Sequence, residues 1–193
     1  MKIGEYQLYS IETSEFALDG GAMFGIIPKA MWSEKMPSDS LNRISMVTRS
    51  LLLVSDSRKI LIDTGNGSKW TEKYLDIYNI DLSMFNIKSS LKKYDFTANE
   101  ITDVICTHLH FDHAGGNTIY HKDSVIPTFP NATYWISDKN WGLANHPNQK
   151  DRGSFMEEDW KVLGHNNMIK LVNDNFLPGI DIYFTEGHTD GLM

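Results

Sequence analysis

Apolar and polar positions along the chain either alternate or recur at helical spacing, and between them they mark out a series of short elements. Residues 5–11 carry the aromatic and β-branched side chains of a strand. Residues 19–42, DGGAMFGIIPKAMWSEKMPSDSLN, mix Gly, Pro, Met and two large aromatics without a period and are expected to form a long irregular loop. Residues 44–54 and 59–62 read as two strands joined by a polar turn, and the second runs into the strand-ending stretch Asp63-Thr64-Gly65-Asn66-Gly67. Apolar or aromatic residues at 70, 74, 77 and 78 predict an amphipathic helix over 69–80. Thr97 and Glu100 have capping-box spacing, as do Ser154 and Glu157, the latter opening a helix to about residue 163. Short apolar runs at 104–106, 132–136, 169–172 and 180–184 complete the predicted strands, with Pro178-Gly179 turning into the last.

Strands and helices alternate without a strict βαβ rhythm. This predicts a layered α/β (α+β) fold in a single domain over residues 1–193. Composition agrees: 41% hydrophobic and 22% charged residues suffice for a core. A net charge of -7 argues against a nucleic-acid backbone or an anionic membrane as partner. No run approaches the ~20 apolar residues of a membrane span, and the N-terminal MKIGEYQLYSIETSE lacks the apolar stretch of a secretory signal. The single cysteine, Cys106, excludes an intrachain disulfide and sits in an apolar run as a buried thiol. A reduced, cytoplasmic setting is therefore expected.

Chemistry concentrates in THLHFDHAGG, residues 107–116. His108, His110, Asp112 and His113 place four imidazole or carboxylate groups within six residues. These are the ligand types that suit Zn²⁺ and related divalent ions. In an extended segment His108 and His110 point to one side and can share an ion, while Asp112 and His113, beyond a bend, can face a second. Three further histidines, His121, His146 and His165, lie in polar, turn-rich surroundings and read as solvated.

The HLHFDHAGG stretch resembles the HxHxDH signature of the metallo-β-lactamase-fold hydrolases. Asp63 in LIDTG resembles that superfamily's upstream aspartate, and His188 in GHTDG its downstream ligand histidine. The GGAMFG, LLLVSDSRKILIDTGNG and PNQKDRGSF stretches are similar to its lactonase and organophosphate-hydrolase branch. The resemblance implies an αββα sandwich, two sheets face to face with helices outside. It implies His108, His110 and His188 as ligands of one metal, Asp112 and His113 as ligands of another, and Asp63 as a support orienting them. The implied cofactor is Zn²⁺, two ions in a full-length relative, with Mn²⁺, Co²⁺ or Fe²⁺ as alternatives. Relatives supply a bridging aspartate and a final histidine further on. No residue after His188 suits those parts, so the C-terminal part of the sandwich is expected to be missing.

The function so implied is a metal-dependent hydrolase that directs a metal-bound hydroxide at a small ester, foremost a lactone, with Asp112 as the catalytic carboxylate. A glyoxalase II-like thioester hydrolase, an iron-dependent persulfide dioxygenase and a catalytically inactive fragment are the alternatives. Met23, Phe24 and Trp32 on the early loop are expected to line the substrate mouth. A small molecule is the expected partner, with a homodimer covering the open sheet face as a second candidate.

Overall fold

The longest paired region is an antiparallel arm near the N-terminus. The computed structural model describes residues 1–83, 87–172 and 176–193. After the short β1 (Lys2–Ile3), β2 (Tyr6–Asp19) runs antiparallel to β3 (Arg43–Val54) from Gln7↔Val54 to Asp19↔Arg43, with a bulge between Glu12 and Ser14. β2 thus extends well past the expected 5–11. Polar Glu12-Thr13-Ser14-Glu15 masks the strand in sequence, but pairing with β3 carries it, and the bulge lets Thr13 and Ser14 both turn inward. The segment expected as pure loop holds two single-turn helices, α1 (Gly20–Phe24) and α2 (Lys29–Trp32).

β4 (Lys59–Ile62) returns along β3 through the predicted turn, which Ser55 and Arg58 close. From β4 onward the neighbours are parallel: β5 (Asp103–Ile105), then β8 (Thr133–Ile136), then β9 (Ile169–Leu171). The seven-stranded sheet has the order β1-β2-β3-β4-β5-β8-β9. Between β5 and β8 lies a separate hairpin, β6 (Thr118–His121) with β7 (Ser124–Pro127), which the sequence pattern did not reveal. Parallel strands point their C-terminal ends the same way, so the segments leaving β4, β5 and β8 gather along one edge, the usual place for ligands in such sheets.

Helices cover one face. α4 (Ile87–Lys92), α6 (Asp138–Asn145) and α7 (Lys161–His165) join β-sheet residues Ile11, Leu52, Leu61, Val104, Tyr134 and Ile136 in the main core. Trp160, 1% exposed, is the largest side chain in that core. Trp160→Ala is expected to cost about 3–5 kcal/mol, read as a lowered urea midpoint with an unchanged slope. The other face carries a smaller cluster of Tyr6, Ile60, Ile105 and Leu177, flanked by half-buried Leu53, Ile62 and Trp135. Among the described residues no second large sheet lies over it.

Three local expectations are corrected. Residues 180–184 alternate like a strand but pair with no strand among the described residues; the nearest ladder contact is the single bridge Thr185↔Leu192. Ser154 forms no cap, and the helical stretch begins later, as a short turn at Glu157–Asp159 before α7. The helix predicted over 69–80 is the shorter α3 (Glu72–Tyr78), ended by Asn79 in the left-handed conformation. The Thr97 capping box is formed as expected, with both reciprocal bonds present.

Candidate metal centre

Asp63 leaves β4 with φ 57, a left-handed conformation that aspartate tolerates better than most residues. That turn aims its carboxylate across to the segment leaving β5. Thr107 donates to it through its backbone N–H (2.8 Å) and its hydroxyl (3.0 and 2.8 Å to the two oxygens), and His113 Nδ1 lies 2.8 Å from Oδ2. Asp63 therefore grips both ends of the histidine-rich segment, at Thr107 and at His113. The two loops also touch backbone to backbone. Gly65 and Ala114 form a bridge, and a Cβ on Gly67 (φ 68) would collide with the Gly115 carbonyl.

His110 is extended, and after it the chain makes the single turn α5 (Phe111–Ala114) that carries Asp112 and His113. The rings of His108 and His110 lie 4.6 Å apart and those of His108 and His113 4.1 Å. His188 arrives from the far end of the chain, its Nε2 3.1 Å from His110 Nδ1. One nitrogen from each of His108, His110 and His188 lies within 4.8 Å of the others.

The turn bearing His188 is held by residues that sequence reasoning overlooked. Asn140, fully buried on α6, accepts from the Leu109 N–H (2.8 Å) and donates to the Asp190 carbonyl (2.9 Å), joining the two histidine segments. Ser137 donates to the Gly191 carbonyl (2.6 Å) and Lys150 to that of His188 (2.7 Å). The only sequence-level hint was the Ser137-Asp138 start of a helix right after an apolar strand.

The donor chemistry fits a divalent cation. His108 and His110 are buried, and the Nε2 atom of each has no hydrogen-bond partner. Buried polar atoms are rarely left so, and a neutral imidazole nitrogen with a free lone pair is a ligand of Zn²⁺. Burial, with neighbouring histidines adding to it, holds His108 down to about 2 and His110 to about 4, so both are neutral at pH 7. Burial alone would lower His113 as well, but bonds to Asp112 and Asp63 outweigh it and raise the ring to about 10. Burial works to raise Asp112, yet His113 holds it below the usual carboxylate range.

These shifts predict how the metal-free protein responds to acid. An unfolded chain protonates its histidines near 6.5, whereas folded His108 and His110 resist to about 2 and 4. Their contribution is thus complete above about 6.5 and lost as pH falls below it. Asp159, raised by burial to about 6 despite Lys69, acts the other way as pH falls from 6 to 4, but two imidazoles outweigh one carboxyl. His113 contributes below 6.5 and fades toward 10. The urea midpoint of chelator-treated protein should therefore peak near neutrality and drop by several kcal/mol equivalents by pH 4; a rise between pH 6.5 and 5 would contradict the assignment.

Among the lining expectations, Trp32 is a correction. It is 4% exposed, packed on Gly20 and stacked on Phe24 at 4.9 Å, so it fills the α1–α2 lobe instead of a cleft. Met23 is exposed in the same lobe. Cys106 is fully buried and pushed up to about 12 by burial, a packed thiol beside Asn117 and not a nucleophile. His121, His146 and His165 are exposed, as expected.

Two pockets flank the cluster. One, about 300 Å³, is lined by Phe16, Met46, Arg49, Asp63, Asp112 and His113. The other, about 310 Å³, is walled by Trp70, Tyr74, Phe155 and Met156 over Asn66, Lys69 and Asp159. Phe155 joins it to the histidines: its ring lies 4.9 Å from that of His110, and the two residues form a β-bridge.

Residues 46–193 match the family described as the metallo-beta-lactamase superfamily. The N-acyl homoserine lactonase AiiA of Bacillus thuringiensis subsp. kurstaki is 27% identical over 154 residues, covering 72% of this chain and 54% of that protein. The chain thus spans about half the length of that relative. The N-acyl homoserine lactonase AiiB of Rhizobium rhizogenes strain K84 is 22% identical over 199 residues, covering 97% of this chain and 70% of its own length. A solved structure of a probable metal-dependent hydrolase from Staphylococcus aureus has a TM-score of 0.88 at 29% identity, covering 100% of this chain and 68% of that one. AidC, a dizinc quorum-quenching lactonase with a bound product, has the same fold at a TM-score of 0.73 and 21% identity, covering 100% of this chain and 67% of AidC. With 46–193 matched and the histidine cluster inside that stretch, the chain belongs to the metallo-beta-lactamase superfamily.

Proposed function

We propose that this chain serves a metal-dependent hydrolase of small esters, with lactones as the leading substrates and Zn²⁺ as the ion. The observation that carries this is the convergence of His108, His110 and His188, with the Nε2 atoms of His108 and His110 buried and unpartnered. These three would hold one ion, Asp112 and His113 would contribute toward a second, and Asp63 would orient both segments. When bound, such an ion brings the pKa of water to about 7 and polarises a carbonyl oxygen. The rest falls to the protein. Neutral His108 and His110 present lone pairs without a competing proton at pH 7. The Asp112 carboxylate, ionised and beside His113, would take a proton from attacking water at Oδ and return it to the departing alkoxide. The lactonase relatives support the substrate class, and the apolar pocket beyond Phe155 gives an ester's side chain somewhere to lie.

The single buried Cys106 is compatible with a reducing cytoplasm, and no helix among the described residues is long and apolar enough to cross a membrane. The test is elemental analysis after dialysis against Zn²⁺, followed by titration of the acid released from aliphatic lactones and from matched thioesters. At least one ion per chain and lactone opening are expected. No retained metal, or thioester cleavage alone, would overturn the lactone reading.

A further inference from the structure

The pocket beyond Phe155 is not uniformly apolar. At its base Lys69 and Asp159, 4% and 5% exposed in their side chains, form an ion pair of 2.9 Å. The ammonium also donates to the Gly115 carbonyl (2.7 Å) and the Thr118 carbonyl (3.0 Å), which uses all three of its N–H groups. Asp159 Oδ1 takes the Lys69 bond, and Oδ2 is buried with no donor at all. Turning the group does not help, because a carboxylate only accepts. Asn66 Oδ1, on a residue 2% exposed that lines the same pocket, also lacks a donor. A buried charged acceptor without a partner is costly, and its presence in a pocket wall asks for a donor from outside the chain.

The surroundings say what kind. Lys69 already balances the charge of Asp159, so a second cation would meet the ammonium; a neutral donor would not. Trp70, Tyr74, Phe155 and Met156 demand that the donor be carried on an apolar body. We propose that this pocket is a specificity subsite for a substrate whose apolar arm bears a neutral hydrogen-bond donor, such as a hydroxyl, with Asp159 Oδ2 as its acceptor. The proposal rests on the hydrolase reading only in taking the ligand to be the substrate. Asp159 acts on selection and not on bond cleavage, since its ion pair is with Lys69 and it is not in the histidine cluster.

The experiment compares two lactones that differ by one hydroxyl on the arm, using the zinc-loaded chain and Asp159→Asn. Replacing the acceptor by an amide keeps the volume and leaves an oxygen for Lys69. The wild type should favour the hydroxylated lactone in kcat/KM by about tenfold or more, mostly through KM, and Asp159→Asn, which exchanges a charged acceptor for a neutral amide, should shrink that ratio several-fold. Because the ratio is taken within each variant, a lowered folded fraction does not distort it. Equal kcat/KM for the two lactones in the wild type would overturn the subsite. Should no lactone be opened, the hydrolase reading fails, and calorimetry with the matched non-hydrolysable lactams then decides the subsite alone. Tighter binding of the hydroxylated lactam supports it, and equal or absent binding of the two overturns it.

Discussion

His108→Leu is expected to end metal retention while making the metal-free protein more stable. Its Nε2 is buried without a partner and the ring is held neutral, so the folded apo-protein carries an unsatisfied acceptor that an ion would satisfy. Leucine fills similar space and removes that acceptor, which is worth about 1–3 kcal/mol. Removing a ligand should weaken zinc binding by more than the roughly 100-fold that outer partners of a metal site command. Two readouts separate the effects: the urea midpoint in chelator should rise, and zinc competition against a chromophoric chelator should show the site gone. Unchanged zinc affinity would take His108 out of the ligand set. A lower midpoint would mean that the imidazole contributes packing that the orphan nitrogen conceals.

The second large effect lies in the glycine contact behind the histidines. Gly67→Ala and Gly115→Ala each place a methyl against backbone, the first on the Gly115 carbonyl and the second on that of Asn66. Backbone cannot swing aside as a side-chain tip can, and Gly67 adds the strain of φ 68 for a residue with a Cβ. Each should cost more than about 4 kcal/mol, beyond the usual range for one substitution. Both variants push apart the same two loops, so the double variant should cost clearly less than the sum. Gly142→Ala is the control. It lies inside α6 with nothing within 4 Å of the added carbon, and should gain about 0.5–1 kcal/mol. Thermal or urea melts of the four variants beside the parent decide it, and a Gly115→Ala protein as stable as the parent would refute the clasp.

What the sequence revealed was what short range decides. The β3–β4 hairpin is bounded by its own turn, the Thr97 box needs four residues, and THLHFDHAGG concentrates its chemistry in ten. What stayed hidden was settled by partners far along the chain. Residues 12–19 look too polar for a strand until β3 lies beside them, and residues 180–184 look like a strand but find no neighbour among the described residues. α6 escapes notice because DKNWGLAN has only weak apolar periodicity; its buried Asn140 serves hydrogen bonds to Leu109 and Asp190 instead of a greasy stripe. Nothing in the sequence ties Lys69 to Asp159, ninety positions on, and only the fold shuts them away together.

The contact between His110 and His188 joins positions 78 residues apart in sequence. An ion shared by them would act on the unfolded chain as a removable cross-link, closing a ring of that size. By the chain-entropy relation used for disulfides, such a ring deprives the denatured ensemble of about 4–5 kcal/mol of freedom at 25 °C. Zinc would then be a fastener as well as a reagent. Chelation should loosen the protein most in the tract between the two histidines, where hydrogen exchange would quicken, and least in the β2–β3 arm that lies outside the ring.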